Sequence, residues 1–176
     1  KQAGSLVAPD RLRFDFTHYR SLSPHEIRYL EEQVNQKIRE NIGLQIEIRS
    51  LDEAIQQGSM ALFGEKYQEQ VRVVSIPGFS MELCGGTHVR RTGDIALFKI
   101  TSEGSIAAGV RRIEAITAGS AVDRFLNHEA ILAELSDTLK VPLPSVPKSV
   151  ERPIQELKET QRELQKLRLE LAQKQA

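Results

Sequence analysis

The residues best suited to chemistry in this chain are Cys84-Gly85-Gly86-Thr87-His88. A thiolate and an imidazole four residues apart can meet at one metal ion if the chain turns between them. Gly85 and Gly86 supply that turn without a Cβ to obstruct it. Cysteine sulfur and histidine nitrogen are donors that zinc prefers, and zinc normally takes roughly three or four protein donors, so this pair is an incomplete set. On spacing alone another reading stays open: a buried free cysteine beside a glycine turn, and an unrelated histidine. Cys84 is the single cysteine of 176 residues. No disulfide framework can form within the chain, which suits a reducing, cytoplasmic setting.

The elements that must position this pair are legible from periodicity. Around the Pro9-Asp10 turn, Leu6-Val7-Ala8 and the alternating Leu12, Phe14 and Phe16 read as two short strands within 4–16. Ser23-Pro24-His25-Glu26 is a helix start, with Ser23 as cap and Glu26 completing a capping box. Ile27, Leu30, Val34 and Ile38 follow as an apolar stripe, and Gly43 is the expected terminator. Leu44, Ile46 and Ile48 alternate as a strand. Ser50 and Glu53 open a short helix that Gly58 would end. Val71, Val73, Val74 and Ile76 form a β-branched run bounded by Pro77-Gly78, and Phe79 to Leu83 is strand-like. Two more strands are expected at Ile95 to Ile100 and Val110 to Ile116.

Composition changes after residue 117. Ala118 to Lys140 reads as a helix with Val122, Phe125, Leu132, Leu135 and Leu139 on one side. Pro142, Pro144 and Pro147 interrupt it, and a second helix is expected from near Ser149 with Pro153 in its first turn. Val150, Leu157, Leu164 and Leu171 recur every seven residues, and two antiparallel helices would let the stripes bury each other. The fold class is therefore α+β: a mixed strand and helix domain over 1–117, then a helical hairpin over 118–176. Lysine plus arginine and aspartate plus glutamate both number 24, so no net charge favours generic DNA coating. No apolar run is long enough to span a membrane.

The ordered motifs resemble the editing domain of alanyl-tRNA synthetases. Gln2-Ala3-Gly4-Ser5-Leu6-Val7 and Leu12-Arg13-Phe14-Asp15-Phe16-Thr17-His18 look like its opening strands. Met60-Ala61-Leu62-Phe63-Gly64-Glu65-Lys66-Tyr67 looks like its central motif. Glu82-Leu83-Cys84-Gly85-Gly86-Thr87-His88 and Arg91-Thr92-Gly93-Asp94-Ile95 look like the metal-loop region, and Ala108-Gly109-Val110-Arg111-Arg112-Ile113-Glu114-Ala115 like the closing strand. The likeness covers about 115 residues, which is more specific than any single motif. Threonyl-tRNA synthetases and free-standing editing proteins share the metal pattern; the Leu-Cys-Gly-Gly-Thr-His wording and the helical tail favour the alanyl family.

The resemblance implies a zinc site in which Cys84 and His88 are two of four ligands. The other two come in that family from a His-x-x-x-His pair, and no such pair is present here. It implies hydrolysis of the ester linking serine or glycine to alanine tRNA, with the acceptor end of that tRNA as partner. It also implies an alanine-activating domain using ATP and magnesium elsewhere in the parent, and a homodimer contact through the C-terminal region. Gln2 matches a pocket-lining position, and Thr87 sits where its hydroxyl can reach substrate or cap the turn. Gly85 and Gly86 let backbone approach the terminal adenosine. Asp94 either orients a ligand or caps a turn. Arg90, Arg91, Lys99, Arg111 and Arg112 against Asp94 and Glu103 make a local excess of positive charge suited to phosphates. Within it Arg90 and Arg91 are the expected tRNA contacts, and Arg112 is either a contact or internal. A free-standing deacylase and a catalytically inert tRNA-binding or dimerisation fragment are the alternatives.

Overall fold

A computed structural model describes residues 1–60 and 68–175. Of the expected central motif, 61–67 lie outside the described residues. The chain has an α+β architecture ending in helices. Contacts divide it into two compact units, Lys1–Asp123 and Arg124–Ala176.

The first unit carries two antiparallel sheets. One has strand order β1 (Gln2–Val7), β2 (Leu12–Thr17), β7 (Val110–Thr117), β6 (Phe98–Ala107); the other runs β3 (Gln45–Ser50), β4 (Gln70–Ile76), β5 (Ser80–Leu83). Helix α1 (Pro24–Arg39) starts where expected, with Ser23 and Glu26 in a reciprocal capping box. It ends before Gly43. Asn41 takes the left-handed conformation at φ 51°, and an asparagine tolerates that backbone better than most residues. The short α2 (Leu51–Gln56) has the Ser50–Glu53 box and stops at Gly58, whose φ of 86° favours glycine.

Each sheet has its own core. Ile100, Ile113 and Ala115 are buried with Leu12, Phe16, Leu22, Ile27 and Phe98 packed against them. Ala54, Val71, Val73 and Leu83 form the second cluster, with Leu51 and Met81 alongside. β6 is longer than the sequence suggests. Ile95 belongs to a one-turn 3-10 helix, Thr92–Ile95, and the strand runs from Phe98 through Ser102, Gly104 and Ser105, weak strand formers that pairing with β7 carries.

In the helical region, α3 (Ala118–Leu139) and α4 (Val146–Gln175) both form. α4 begins earlier than Ser149 and takes Pro147 into its first turn, where a missing N–H costs nothing; Pro153 therefore lies inside the helix. Burial along the stripes is limited to the turn end, where Val146 is buried and Leu139 half-buried. Phe125, Leu132 and Leu135 on α3 and Leu157, Leu164 and Leu171 on α4 all remain exposed, the last at 58%. No helix among the described residues is long and apolar enough to cross a membrane.

Candidate functional site

β4 and β5 are joined by the Pro77-Gly78 turn, in which the N–H of Phe79 bonds the carbonyl of Ile76 at 2.9 Å. That hairpin aims the end of β5 at the glycine loop. Cys84 follows directly, its N–H bonded to the carbonyl of Arg72 at 3.1 Å. The Arg72 guanidinium then reaches over the loop, its Nη1 donating to the carbonyls of Cys84 and Gly86, both at 2.7 Å. Beyond the loop, His88 Nε2 returns to within 3.2 Å of Cys84 Sγ. The two expected donors are thus brought together.

A tetrahedral ion about 2.3 Å from sulfur and about 2.0 Å from nitrogen would set those atoms roughly 3.5 Å apart. The observed 3.2 Å is close to that bite, so the pair fits as half of a zinc site. Among the described residues, no group of three or more histidine, cysteine, aspartate or glutamate side chains could hold a metal. Gly86 packs against the sulfur: a Cβ there would meet Sγ at 3.6 Å, which is ordinary contact. Gly85 has open space around it, and Thr87 and His88 are exposed. The loop can therefore be approached from solvent.

The expected basic patch resolves into structural pairs. Arg112 is not a free phosphate contact. It makes a two-pronged bond to Asp15 across the β2–β7 register, at 2.7 and 2.9 Å, and Asp15 is 7% exposed. The guanidinium holds the Asp15 carboxyl below its usual range, against the opposing effect of burial. Arg111 is paired with Glu103 and largely buried. That hydrogen bond likewise lowers the Glu103 carboxyl and raises Arg111. Lys99 bonds Glu31 at 2.8 Å.

Arg91 is also engaged, as the anchor between the loop segment and the end of α1. Its Nε donates to Asn41 Oδ1 at 3.1 Å and its Nη2 to the Asn41 carbonyl at 2.6 Å, holding the left-handed residue just past the end of α1. Beside it, buried Thr92 donates to the Lys37 carbonyl at 2.7 Å and accepts from Ile42 N–H at 2.8 Å. Asp94 caps this segment: its carboxylate accepts from the N–H groups of Arg90 and Arg91 at 3.2 and 3.1 Å. Arg90 alone of the five cations has no side-chain hydrogen bond or ion pair among the described residues, and it is exposed. Gln2 stands on edge strand β1 of the other sheet, its amide donating to Ser5 Oγ at 3.2 Å. No hydrogen bond joins it to the Cys84 loop among the described residues.

Sequence spacing does not single out Arg72, Asn41 or Thr92 as builders of the site. Arg72 left one signal: a lone cation in the otherwise apolar run Val71 to Val74. A charge there needs partners that the strand itself does not offer.

The sequence matches a family described as the threonyl and alanyl tRNA synthetase second additional domain over residues 71–114. An alanine–tRNA ligase from Solibacter usitatus is 50% identical over 173 residues, covering 98% of this chain and 20% of that protein. The alanine–tRNA ligases of Idiomarina loihiensis and Thermoanaerobacter pseudethanolicus are 49% and 47% identical over 98% and 97% of the chain. The chain spans about one fifth of the length of these curated relatives.

Proposed function

From a chain homologous to a one-fifth stretch of the alanine–tRNA ligases, we propose that it is the part of such an enzyme that clears alanine tRNA carrying serine or glycine in error. The bond cut is the ester to the terminal adenosine. The carrying observation is the 3.2 Å approach of Cys84 Sγ and His88 Nε2 on a loop that also leaves the two side chains reachable. Zinc held there, with two further ligands from elsewhere in the parent, would bind the substrate amino group or polarise the attacking water. Gly85 and Gly86 leave room for the terminal adenosine, Thr87 offers a hydroxyl beside the donors, and Arg90 offers the unengaged cation for a tRNA phosphate. Gln2 has a smaller part in this reading, since its amide bonds within its own strand. A second sieve is needed because one hydroxyl or methyl changes binding by only about 1–3 kcal/mol. The parent would join alanine to tRNA with ATP and magnesium in a stretch outside the fifth that this chain matches, and pair as a homodimer through its C-terminal region.

One observation favours a second reading for the chain on its own. With no third donor among the described residues, it would bind tRNA without hydrolysing the ester. The experiment compares seryl-tRNA hydrolysis by the 176-residue chain, by the chain extended with its upstream parent sequence, and by the extended chain carrying Cys84→Ala. The extended chain should hydrolyse. Losing an outer-shell partner costs about 10–100-fold, so losing a ligand should cost at least that much. Full-rate clearance by the Cys84→Ala protein would end the ligand assignment.

A further inference from the structure

We infer that Arg72 is the positioning residue that sets the separation of Cys84 and His88. The inference rests on reading those two side chains as metal donors, and it adds the residue that makes them a preformed pair.

Arg72 grips the loop at three points. Its carbonyl accepts the Cys84 N–H at 3.1 Å, and its Nη1 donates to the Cys84 and Gly86 carbonyls at 2.7 Å each. One residue thus fixes Cys84 on both sides of its backbone and fixes the second glycine as well. Gly85 and Gly86 are the residues with most freedom to lose, so without this clamp the loop would sample many turns. Bonds from a charged donor are the stronger kind, and Arg72 has no ion pair among the described residues to divide its attention. Arg72 is itself fixed midway along β4, opposite Ile48 of β3 and between buried Val71 and Val73. The clamp is therefore built on sheet, and the sulfur and imidazole inherit the sheet's rigidity. Arg72 does not touch the ion; it acts through Cys84.

The chain and its Arg72→Met and Arg72→Lys variants are titrated with cobalt(II), following the thiolate-to-cobalt absorption. Separately, the metal-free proteins are treated with a disulfide reagent that reports the Cys84 reaction rate. Circular dichroism and urea unfolding establish that each variant is folded. Arg72→Met should raise the cobalt midpoint about tenfold or more, the scale of losing an outer-shell partner, and speed the thiol reaction severalfold. Arg72→Lys, whose shorter chain can hold one carbonyl, should fall between. Wild-type midpoint and thiol rate in either folded variant overturn the inference; the lysine variant decides if the methionine variant does not fold. Absence of a thiolate band both in the wild-type chain and in the chain extended with its upstream parent sequence would sink the metal reading instead, and the thiol rates would then decide the clamp alone.

Discussion

At the scale of single residues, charge count and charge availability part company. Five cations lie between Gly86 and Arg112 in the sequence, yet four already have partners within the chain: Asn41, Glu31, Glu103 and Asp15. Sequence spacing shows an excess of charge but not its partners, because Asp15 is 97 residues from Arg112 and only sheet register joins them. This separates two arginines by experiment. Arg90→Ala should leave urea stability within about 0.5 kcal/mol of wild type, as exposed substitutions do, while lowering the salt dependence of the proposed tRNA binding by about one unit of slope. Arg112→Ala should destabilise clearly, because it leaves buried Asp15 with only the Arg13 guanidinium, 3.7 Å away and without a hydrogen bond; equal stability for the two variants would refute the assignment. The same pairs predict an acid limb. Asp15 and Glu103 are held below their ordinary 3.8 and 4.5 by Arg112 and Arg111. Groups lowered in the folded state contribute stability that is complete above the unfolded values and drains as pH falls through the folded ones. Urea midpoints should stay flat with respect to these groups from about pH 7 to about pH 5 and fall below about pH 4. Asp15→Asn should lower the plateau and flatten part of the acid limb; an unchanged limb would show that Asp15 contributes none of it.

At the scale of elements, what could be read from sequence was whatever is local. Both capping boxes, the Pro77-Gly78 turn and the alternating strands follow from residues within one turn of each other, and they appear where expected. The Cys84–His88 approach was legible for the same reason, since four residues and two glycines enclose it. Non-local decisions were not legible. α1 ends at Arg39, short of Gly43, where Thr92 donates to the Lys37 carbonyl of its last turn and Arg91, fifty residues from Asn41, holds the left-handed residue that follows. Gly93 is part of that docking: a Cβ there would lie 2.5 Å from Asn41 Oδ1 and 2.9 Å from its Cγ. Asn41 cannot simply swing aside, because its Oδ1 holds Arg91 and its carbonyl is bonded too. Gly93→Ala should therefore cost about 1–3 kcal/mol, as overpacking does, and should loosen the segment that follows His88. Urea unfolding measures the first effect and amide exchange at Thr92 the second. A neutral Gly93→Ala would mean that Asn41 yields freely and does not anchor this junction.

Across the whole molecule, stability is unevenly distributed. Both buried clusters fall within Lys1–Asp123, where the two sheets close their hydrogen bonds against α1 and α2. From Arg124 onward the described chain is two helices, whose leucines at 157, 164 and 171 are each at least 48% exposed. Helices of this kind draw most of their stability from burying a face, and isolated ones are marginal in water. Pro153 removes one further backbone bond from α4. The two units should consequently melt differently. Heating should erode the helical signal at 222 nm gradually from low temperature, as α3 and α4 fray. The reaction rate of Cys84 with a disulfide reagent should keep its native value until a later, sharp rise, because the Arg72 clamp belongs to the sheet of the first unit. A chain ending at Asp123 should keep that sharp rise and lose only the early slope. Coincident transitions by both probes in the full chain would show instead that the helices and the sheets unfold as one cooperative body.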